Sequence, residues 1–146
     1  MHRDVSGELP DPATLAAVHQ LYGLQSHSID GGFAAEWAAT FTAGGEFHSP
    51  SYPAPVAGTA ALTDFAAAFR AAAEAADETH RHIVTNIAVR RSGPSTLQAQ
   101  AYLQIVATPR GGSPRLVRMT TIADRLELVG GTWLVAHRDV SRDDTR

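Results

Sequence analysis

The apolar residues of this chain change their spacing once, near Asp77. Before that residue they recur at intervals of three and four, and after it they alternate with polar residues. The first spacing is typical of amphipathic helices and the second of strands with two different faces. Short glycine-containing segments separate the strands, and such connections join antiparallel neighbours. Helices followed by a run of long antiparallel strands predict an α+β fold.

Local signals place the elements along the chain. Asp11 is expected to cap the first helix, with Pro12 as its first residue, and Gly31 and Gly32 end it. Thr59 is expected to cap the third helix. The predicted elements are a second helix over 33–41 that Gly44 and Gly45 break, an extended piece from Glu46, a proline-rich loop over 49–55, the third helix over 59–76, and strands at about 79–91, 96–108, 115–128 and 132–140.

The chain of 146 residues is long enough to bury a core without a metal ion or disulfide bonds. We expect one domain over residues 11–142, a flexible N-terminus over 1–10 and a short tail over 143–146. No segment has the roughly 18 consecutive apolar residues of a membrane span, and the N-terminus lacks the apolar core of a signal peptide. These features predict a cytoplasmic protein without a membrane partner.

The amino-acid inventory excludes several kinds of chemistry. The chain has no cysteine, and all 12 of its basic residues are arginine. Thiol nucleophiles, cysteine-based zinc sites, Schiff bases and pyridoxal phosphate anchoring are therefore excluded. The net charge of −3 argues against binding to a nucleic-acid backbone. With no nucleotide-binding motif present, we expect no cofactor, no metal ion and no nucleic-acid partner.

The two faces of the predicted strands are both partly apolar. In the 79–91 strand, His82 and Asn86 lie among small apolar residues on one face, and the other face is apolar at its centre. In the 96–108 strand, apolar residues alternate with a face that includes Tyr102 and Gln104. One interpretation is a curved sheet with a helix-lined cavity on one side and a partner surface on the other. The alternative is a two-layer fold whose polar face meets water.

A series of motifs in a fixed order resembles the SnoaL-like branch of the nuclear-transport-factor-2-like (NTF2-like) superfamily. The resemblance covers roughly residues 12–142. It is carried by YGLQSHSIDGGFAAEW at 22–37, FTAGGEF at 41–47, PVAG at 55–58, HRHIVTN at 80–86 and DRLELVGGTWLVAHR at 124–138. It implies a cone-shaped α+β fold in which three N-terminal helices pack on a strongly curved antiparallel sheet that encloses a pocket. It also implies a homodimer formed through the outer face of the sheet.

Within that superfamily, the chain is similar to small proteins of actinomycete aromatic-polyketide pathways that act in pyran-ring formation. The resemblance implies a lyase- or isomerase-type enzyme of antibiotic biosynthesis, a cofactor-independent cyclase, dehydratase or isomerase acting on a small aromatic or polyketide substrate. The same fold serves non-catalytic subunits, such as the β subunits of ring-hydroxylating dioxygenases. A binding or accessory subunit is therefore the alternative.

Asp30 and His82 are the candidate catalytic residues. Asp30 lies at the C-terminal end of the first predicted helix, where the helix dipole disfavours a negative charge. Asp30 has either a structural role in the glycine-containing turn that follows the helix or a role outside that turn that requires a carboxylate at this position. The resemblance implies that it pairs with His82, which would act as general acid and base while Asp30 orients it. A metal-binding pair of His80 and His82 is the weaker alternative, because no further ligand motif is present.

A second group of residues is predicted to bind the substrate. Trp37, with Phe41 and Phe47, is expected to form an apolar wall, although a plain core would have the same pattern. Tyr22 lies one helical stripe from Asp30, and a core position with a hydrogen-bonded hydroxyl explains it as well. For Asn86, Tyr102 and Gln104, a polar strand face in a dimer interface is as good an explanation as a place in the cavity. The predicted substrate-binding residues are Tyr22, Trp37, His48, Tyr52, Asn86, Tyr102, Gln104 and His137.

Overall fold

Three helices pack against one sheet of six strands in a computed structural model that describes residues 7–145. Residues 1–6, part of the predicted flexible N-terminus, lie outside this range. No helix within it is long and apolar enough to cross a membrane. The elements are α1 Pro12–Gly31, α2 Ala34–Ala38, β1 Phe41–His48, β2 Val56–Ala57, α3 Thr59–Ala75, β3 Glu78–Gly93, β4 Thr96–Pro109, β5 Arg115–Val129, β6 Thr132–Arg142 and a final 3₁₀ turn, Asp143–Thr145.

The predicted α+β class is confirmed, and β3 to β6 each end within two residues of the predicted bounds. The strand order is β2-β1-β6-β5-β4-β3. The sheet is mixed rather than wholly antiparallel as expected, because β1 runs parallel to β6. β1 and β2 also lie between the helices in the chain, so the three helices are not consecutive.

The second helix is shorter than predicted, because residues 41–48 form a strand. Phe41 pairs with Val135 of β6, and the register shifts before Glu46 pairs with His137. Gly45 lies within this irregularity, where an added Cβ atom would come within 2.9 Å of the Phe41 Cβ. The two glycines that were expected to break a helix therefore lie in a bulge of β1 instead, and Gly45 is the one with no room for a side chain.

The two long helices begin in different ways. Asp11 caps α1 as predicted, since its carboxylate accepts a hydrogen bond from the backbone N–H of Thr14 at 3.1 Å. Thr59 is not the cap of α3. Gly58 occupies that position with a φ of 87°, and Thr59 is the first helical residue, with no side-chain cap hydrogen bond. Glycine adopts this φ without steric cost, so it can turn the chain from β2 into the helix.

A buried polar network joins α1 to the sheet. The Tyr22 hydroxyl donates to Asp124 Oδ2 at 2.7 Å. Arg138 donates to both carboxylate oxygens of Asp124, at 2.9 and 2.8 Å, and to Gln25 Oε1 at 2.8 Å. The Asp124 side chain is fully buried and that of Arg138 is 6% exposed. Because every charged group here has a bidentate or additional partner, the network replaces the hydration that burial removes.

Burial sets the protonation of this network. It raises the pKa of Tyr22 well above its usual value of 10.0, and the adjacent Asp124 carboxylate raises it further. Burial by itself would lower the pKa of Arg138, but the Asp124 carboxylate more than reverses this, so the pKa lies above its usual value. Tyr22 therefore stays a hydrogen-bond donor, and Arg138 stays charged.

Asn86 lies at a bulge in β3. The register with β4 shifts between the pairs Thr85–Tyr102 and Ala88–Gln100, and Asn86 has a φ of 56°. This conformation is uncommon outside glycine, and asparagine tolerates it better than most residues. The bulge exchanges the two faces of the strand. His82 and Val84 face the helices before it, Ile87 and Val89 do so after it, and Asn86 itself is exposed.

We predict that Asn86→Val lowers the free energy of unfolding by about 1–2 kcal/mol, because a β-branched residue is strained at positive φ. Asn86→Gly should unfold at the same urea concentration as the wild type or a higher one. Urea melts of the three proteins check this. If the valine variant were as stable as the wild type, Asn86 would have no backbone role.

Removing the Tyr22 hydroxyl tests the buried network. Tyr22→Phe should lower the free energy of unfolding by about 1–3 kcal/mol at pH 7, since Asp124 loses a buried donor. Because folding raises the Tyr22 pKa, its contribution is complete below pH 10.0 and is lost as the pH rises through the folded-state pKa. The difference between the two proteins should therefore shrink in urea melts above pH 10. Tyr102→Phe, on the exposed face, is the control. A difference that stays constant to pH 11 would contradict this assignment.

Candidate active site

An apolar cavity lies between the helices and the inner face of the sheet. As the side chains stand, the centre of a water-sized sphere can move through about 50 Å³ of it, so the cavity is narrow. Five aromatic side chains line it: Trp37, Phe47, Tyr52, Phe65 and Phe69. The Phe65 ring contacts three of the others, with centroids 4.9 to 5.7 Å apart. The sheet thus encloses a cavity, as the first of the two interpretations predicted.

Asp30 and His82 form a hydrogen-bonded pair at the wall of this cavity. The Asp30 Oδ1 atom lies 2.6 Å from His82 Nδ1, and Oδ2 accepts the backbone N–H of His82 at 2.9 Å. Both side chains are largely buried, with 7% and 11% exposure. His82 lines the cavity, and Asp30 lies behind it. The two contacts fix both the backbone and the ring of His82.

The fold explains why the carboxylate lies at an unfavourable helix end. β3 is an edge strand, so some of its backbone N–H groups face away from β4 and need another partner. Asp30 satisfies that of His82, which offsets the repulsion from the helix dipole. Gly32 ends α1 with a φ of 84°, and Arg70 donates to the Asp30 carbonyl at 2.6 Å. The contacts of Asp30 with His82 hold the last turn of α1 against β3, and the Arg70 contact joins the same turn to α3.

The geometry assigns the tautomer of His82. A carboxylate only accepts hydrogen bonds, so the Nδ1 atom carries the proton that it donates to Asp30. The other ring nitrogen, Nε2, forms no hydrogen bond with any side chain among residues 7–145. The Phe69 ring packs against the imidazole, with centroids 4.9 Å apart. His82 is thus held in a fixed orientation, and the anion behind it can stabilise the imidazolium form.

His80 and His82 are not arranged as a metal-binding pair. Its Nε2 atom lies 3.5 Å from Glu78, and its ring contacts Phe69 at a centroid distance of 5.2 Å. The Nδ1 atom of His82 is already engaged by Asp30. Within residues 7–145, the His80–His82 pair is not part of any group of three ligands that could hold a metal ion.

The described residues that could hold a metal ion lie elsewhere. Glu46, His48 and His137 place one ligand atom each within 4.8 Å of one another. The two imidazole rings stack with centroids 4.6 Å apart. These residues alternate along β1 and β6 with Phe47 and Arg138, which face the cavity. Since neighbouring strand residues point to opposite faces, this group lies on the outer face of the sheet, away from His82.

The predicted substrate-binding residues divide into two sets. Trp37 and Tyr52 line the cavity, whereas six others do not. Tyr22 is a core residue held by Asp124, and His48 and His137 lie on the outer face. Asn86 is exposed at the bulge. Tyr102 and Gln104 share one face as expected, but it is the outer face, because Leu103 and Ile105 point into the cavity.

Several cavity residues were not identified from the sequence. Phe65 and Phe69 lie on α3, which was predicted as a helix without any assignment of these two residues to a site. Gln25, Ser51, Arg118 and Arg138 also line the cavity. For Arg138 the sequence does contain a signal. Side chains alternate along β6, so Arg138 and Asp139 are expected on opposite faces of the sheet. Arg118 gave no such signal, because its neighbours Leu116 and Val117 are exposed and the register shifts beside it.

Solved structures with the same fold include proteins from actinomycetes. Aln2 from a Streptomyces species is 29% identical, with a TM-score of 0.84 over 94% of this chain and 96% of that one. A Catenulispora acidiphila protein in complex with S-DNPA is also 29% identical, with a TM-score of 0.80 over 92% and 97%. ActVI-ORFA from Streptomyces coelicolor is 24% identical, with a TM-score of 0.83 over 91% and 97%, which shows the fold alone.

Among curated proteins, none matches this chain at a significant level. A protein-family model, by contrast, covers most of it. That model describes the SnoaL-like domain and matches residues 13–139, which include nearly all of α1, both candidate catalytic residues and most of β6. The chain therefore belongs to the SnoaL-like domain family.

Proposed function

We propose that this protein is a cofactor-independent cyclase, dehydratase or isomerase that acts on an aromatic polyketide-type intermediate. The observation that carries the proposal is the Asp30–His82 pair, with its Nδ1–Oδ1 distance of 2.6 Å, at the wall of an apolar cavity. A neutral imidazole with an orienting carboxylate is an effective proton-transfer group. We further propose that it works in the cytoplasm, without a membrane or nucleic-acid partner.

The chemistry follows from the fixed tautomer. His82 Nε2 removes a proton from the substrate, and the Asp30 carboxylate stabilises the imidazolium that forms. The same proton is then returned, either to a second position of the substrate or to a leaving hydroxyl, which departs as water. Return to carbon is isomerisation, and loss of water is dehydration. Ring closure uses the same two residues: His82 removes the proton of a substrate hydroxyl as its oxygen adds to a carbon–carbon double bond conjugated to a carbonyl, and it then returns that proton to the carbon beside the carbonyl.

The substrate class rests on the cavity wall and on the neighbours. Five aromatic side chains favour a flat, apolar ligand. The Catenulispora neighbour binds S-DNPA, so a cavity of this fold accepts a small molecule of that kind. S-DNPA is therefore the first ligand to test here. The resemblance to proteins of aromatic-polyketide pathways supports a pyran-forming step.

No cofactor is needed for this proton transfer, because the base, its orienting anion and the apolar environment all come from the chain. Activity should therefore survive dialysis against a chelator. The ligand group on the outer face, formed by Glu46, His48 and His137, does not reach the cavity. Loss of activity on chelation that a divalent metal ion restores would contradict a cofactor-independent reaction.

The dyad is tested by three variants. His82→Ala should lower kcat by roughly 10²- to 10⁴-fold, the usual contribution of general acid–base catalysis. Asp30→Asn should cost nearly as much, because an amide cannot stabilise the imidazolium. The double variant should lose little more than either single variant, since the two residues act as one unit. Steady-state rates with a polyketide-derived hydroxy ketone measure all three.

Two controls separate catalysis from folding and from binding. His80→Ala, on the same strand, should keep most of the activity, and thermal melts show whether each variant is folded. Binding of S-DNPA, measured by calorimetry, should persist in His82→Ala. An Asp30→Asn protein as active as the wild type would end the dyad hypothesis and favour the alternative, a binding or accessory subunit.

We also propose a homodimer formed through the outer face of the sheet. Tyr102 and Ile83 are 42% and 39% exposed there, next to Gln104 and Met119 in the strand register. Exposed apolar side chains on a sheet face are typical of a self-association surface.

Light scattering at micromolar concentration should give twice the chain mass of 15.5 kDa. The variant Tyr102→Asp should halve that value, and Leu128→Asp, an exposed apolar residue near the β5–β6 turn, is the control. A wild-type mass of 15.5 kDa would contradict the dimer.

A further inference from the structure

Side chains of the kinds that bind metal ions lie together on the outer face of the sheet, across β1 and β6. Glu46 and His48 are two residues apart on β1 and share that face. His137 and Asp139 are related in the same way on β6. In the parallel register, Glu46 pairs with His137 and His48 pairs with Asp139. The backbone of the sheet therefore places the four residues at the corners of a square, although β1 and β6 are far apart along the chain.

Three of these side chains come close enough to share one ion. Glu46, His48 and His137 each place a ligand atom within 4.8 Å of the other two. Each oxygen of the Glu46 carboxylate lies near one imidazole, with Oε1 3.4 Å from His48 Nε2 and Oε2 3.8 Å from His137 Nδ1. In a tetrahedral zinc site with bonds of about 2.1 Å, neighbouring ligand atoms are roughly 3.4 Å apart. The three ligands are thus already near the spacing that such an ion requires.

Asp139 contacts the other nitrogen of one of these rings. Its Oδ1 atom lies 3.1 Å from His137 Nε2, whereas His137 Nδ1 faces Glu46. Histidines that bind metal ions commonly donate their second N–H to a carboxylate, which fixes the tautomer. In a neutral ring that donates through Nε2, the lone pair is on Nδ1. This lone pair and the Glu46 carboxylate are both electron-pair donors, so a cation between them would attract both.

The charge of this group suits a divalent cation. Metal ions bind the neutral imidazole of histidine, so Glu46 and Asp139 each add a negative charge that the rings do not cancel. Neither carboxylate forms an ion pair with an arginine among residues 7–145. Arg125, the register neighbour of His137 on β5, lies 3.6 Å from Glu127 instead. A bound cation would therefore compensate charges that no arginine of the described chain compensates.

We propose that Glu46, His48 and His137 bind one divalent transition-metal ion of the Zn²⁺ class, and that Asp139 orients His137. Two imidazole ligands favour Zn²⁺, Ni²⁺ or Cu²⁺ over Mg²⁺ and Ca²⁺, which prefer oxygen ligands. The three ligand side chains are 27–46% exposed, so the ion reaches them from solvent and water completes its coordination. The ion joins β1 to β6 beside the bulge in β1, and its role is to stabilise that strand pair. This role is independent of the proposed function, because the site lies outside the cavity.

Titration of the metal-free full chain with Zn²⁺ tests the site. Calorimetry should show one Zn²⁺ ion per chain in the tightest phase and no such phase with Mg²⁺. Because only the folded chain holds the ligands together, a free Zn²⁺ concentration about 100 times the Kd should raise the Tm by roughly 5–10 °C. His48→Gln and His137→Gln should each weaken Zn²⁺ binding at least about 10-fold, since even an outer partner of a ligand contributes that much. Asp139→Asn should weaken it several-fold without a change in the Tm of the metal-free protein.

The control is His19→Gln, which removes an exposed histidine from α1 and should leave Zn²⁺ binding as it is in the wild type. Absence of Zn²⁺ binding would overturn the proposal, and so would binding that survives both His48→Gln and His137→Gln or that Mg²⁺ matches. Light scattering should give the same mass with and without the ion. A mass that doubles only with Zn²⁺ would place the ion between two copies of the chain and overturn a site within one chain.

Discussion

The buried pair of Asp124 and Arg138 fixes the distance between α1 and the sheet, and the rest of the site depends on that distance. Tyr22 and Gln25, one turn apart on α1, both bind this pair. Breaking such a pair by removing one partner typically costs about 3–5 kcal/mol, because the other charge is left buried. The helix therefore has one position relative to β5 and β6. Asp30, near its end, then reaches His82 on the far edge of the sheet.

The bulge at Asn86 and the edge position of β3 determine how that contact is made. Before the bulge, β3 points His82 and Val84 inward, and its free backbone N–H at His82 faces α1. A regular strand without the bulge would keep that face inward along its whole length, so Ile87 and Val89 would leave the core. The irregularity thus lets one strand supply a histidine to the cavity at one end and apolar core residues at the other.

The ends of elements could be predicted from the sequence because they depend on neighbouring residues. Asp11 and Gly32 define α1 through local hydrogen bonds and local dihedral angles. The alternation after Asp77 defines β3 to β6 in the same way. The extended piece from Glu46 was predicted, but the start of β1 was missed, because the four-residue spacing of Trp37 and Phe41 is typical of a helix while Phe41 actually pairs with Val135. Pairing between distant segments leaves no local signal.

The site shows the same division between local and distant information. Asp30 and His82 came from a resemblance to a family, since nothing in their spacing brings them together. Tyr102 and Gln104 were correctly placed on one face, yet which face points inward depends on how the helices pack. Arg118 was not found at all, because its meaning depends on the register of two strand pairs and on the absence of an acid beside it.

In the cavity, His82 and Arg118 lie at the two ends of one row of paired strand residues, and their charges are compensated in different ways. At His82 the chain supplies the anion itself, so the imidazole can gain a proton and lose it again without a change in its partners. At Arg118 the chain supplies only the cation and its hydrogen-bond donors. The row therefore contrasts an imidazole whose anion comes from the chain with a guanidinium whose partners in the chain are a phenol hydroxyl and an aromatic ring.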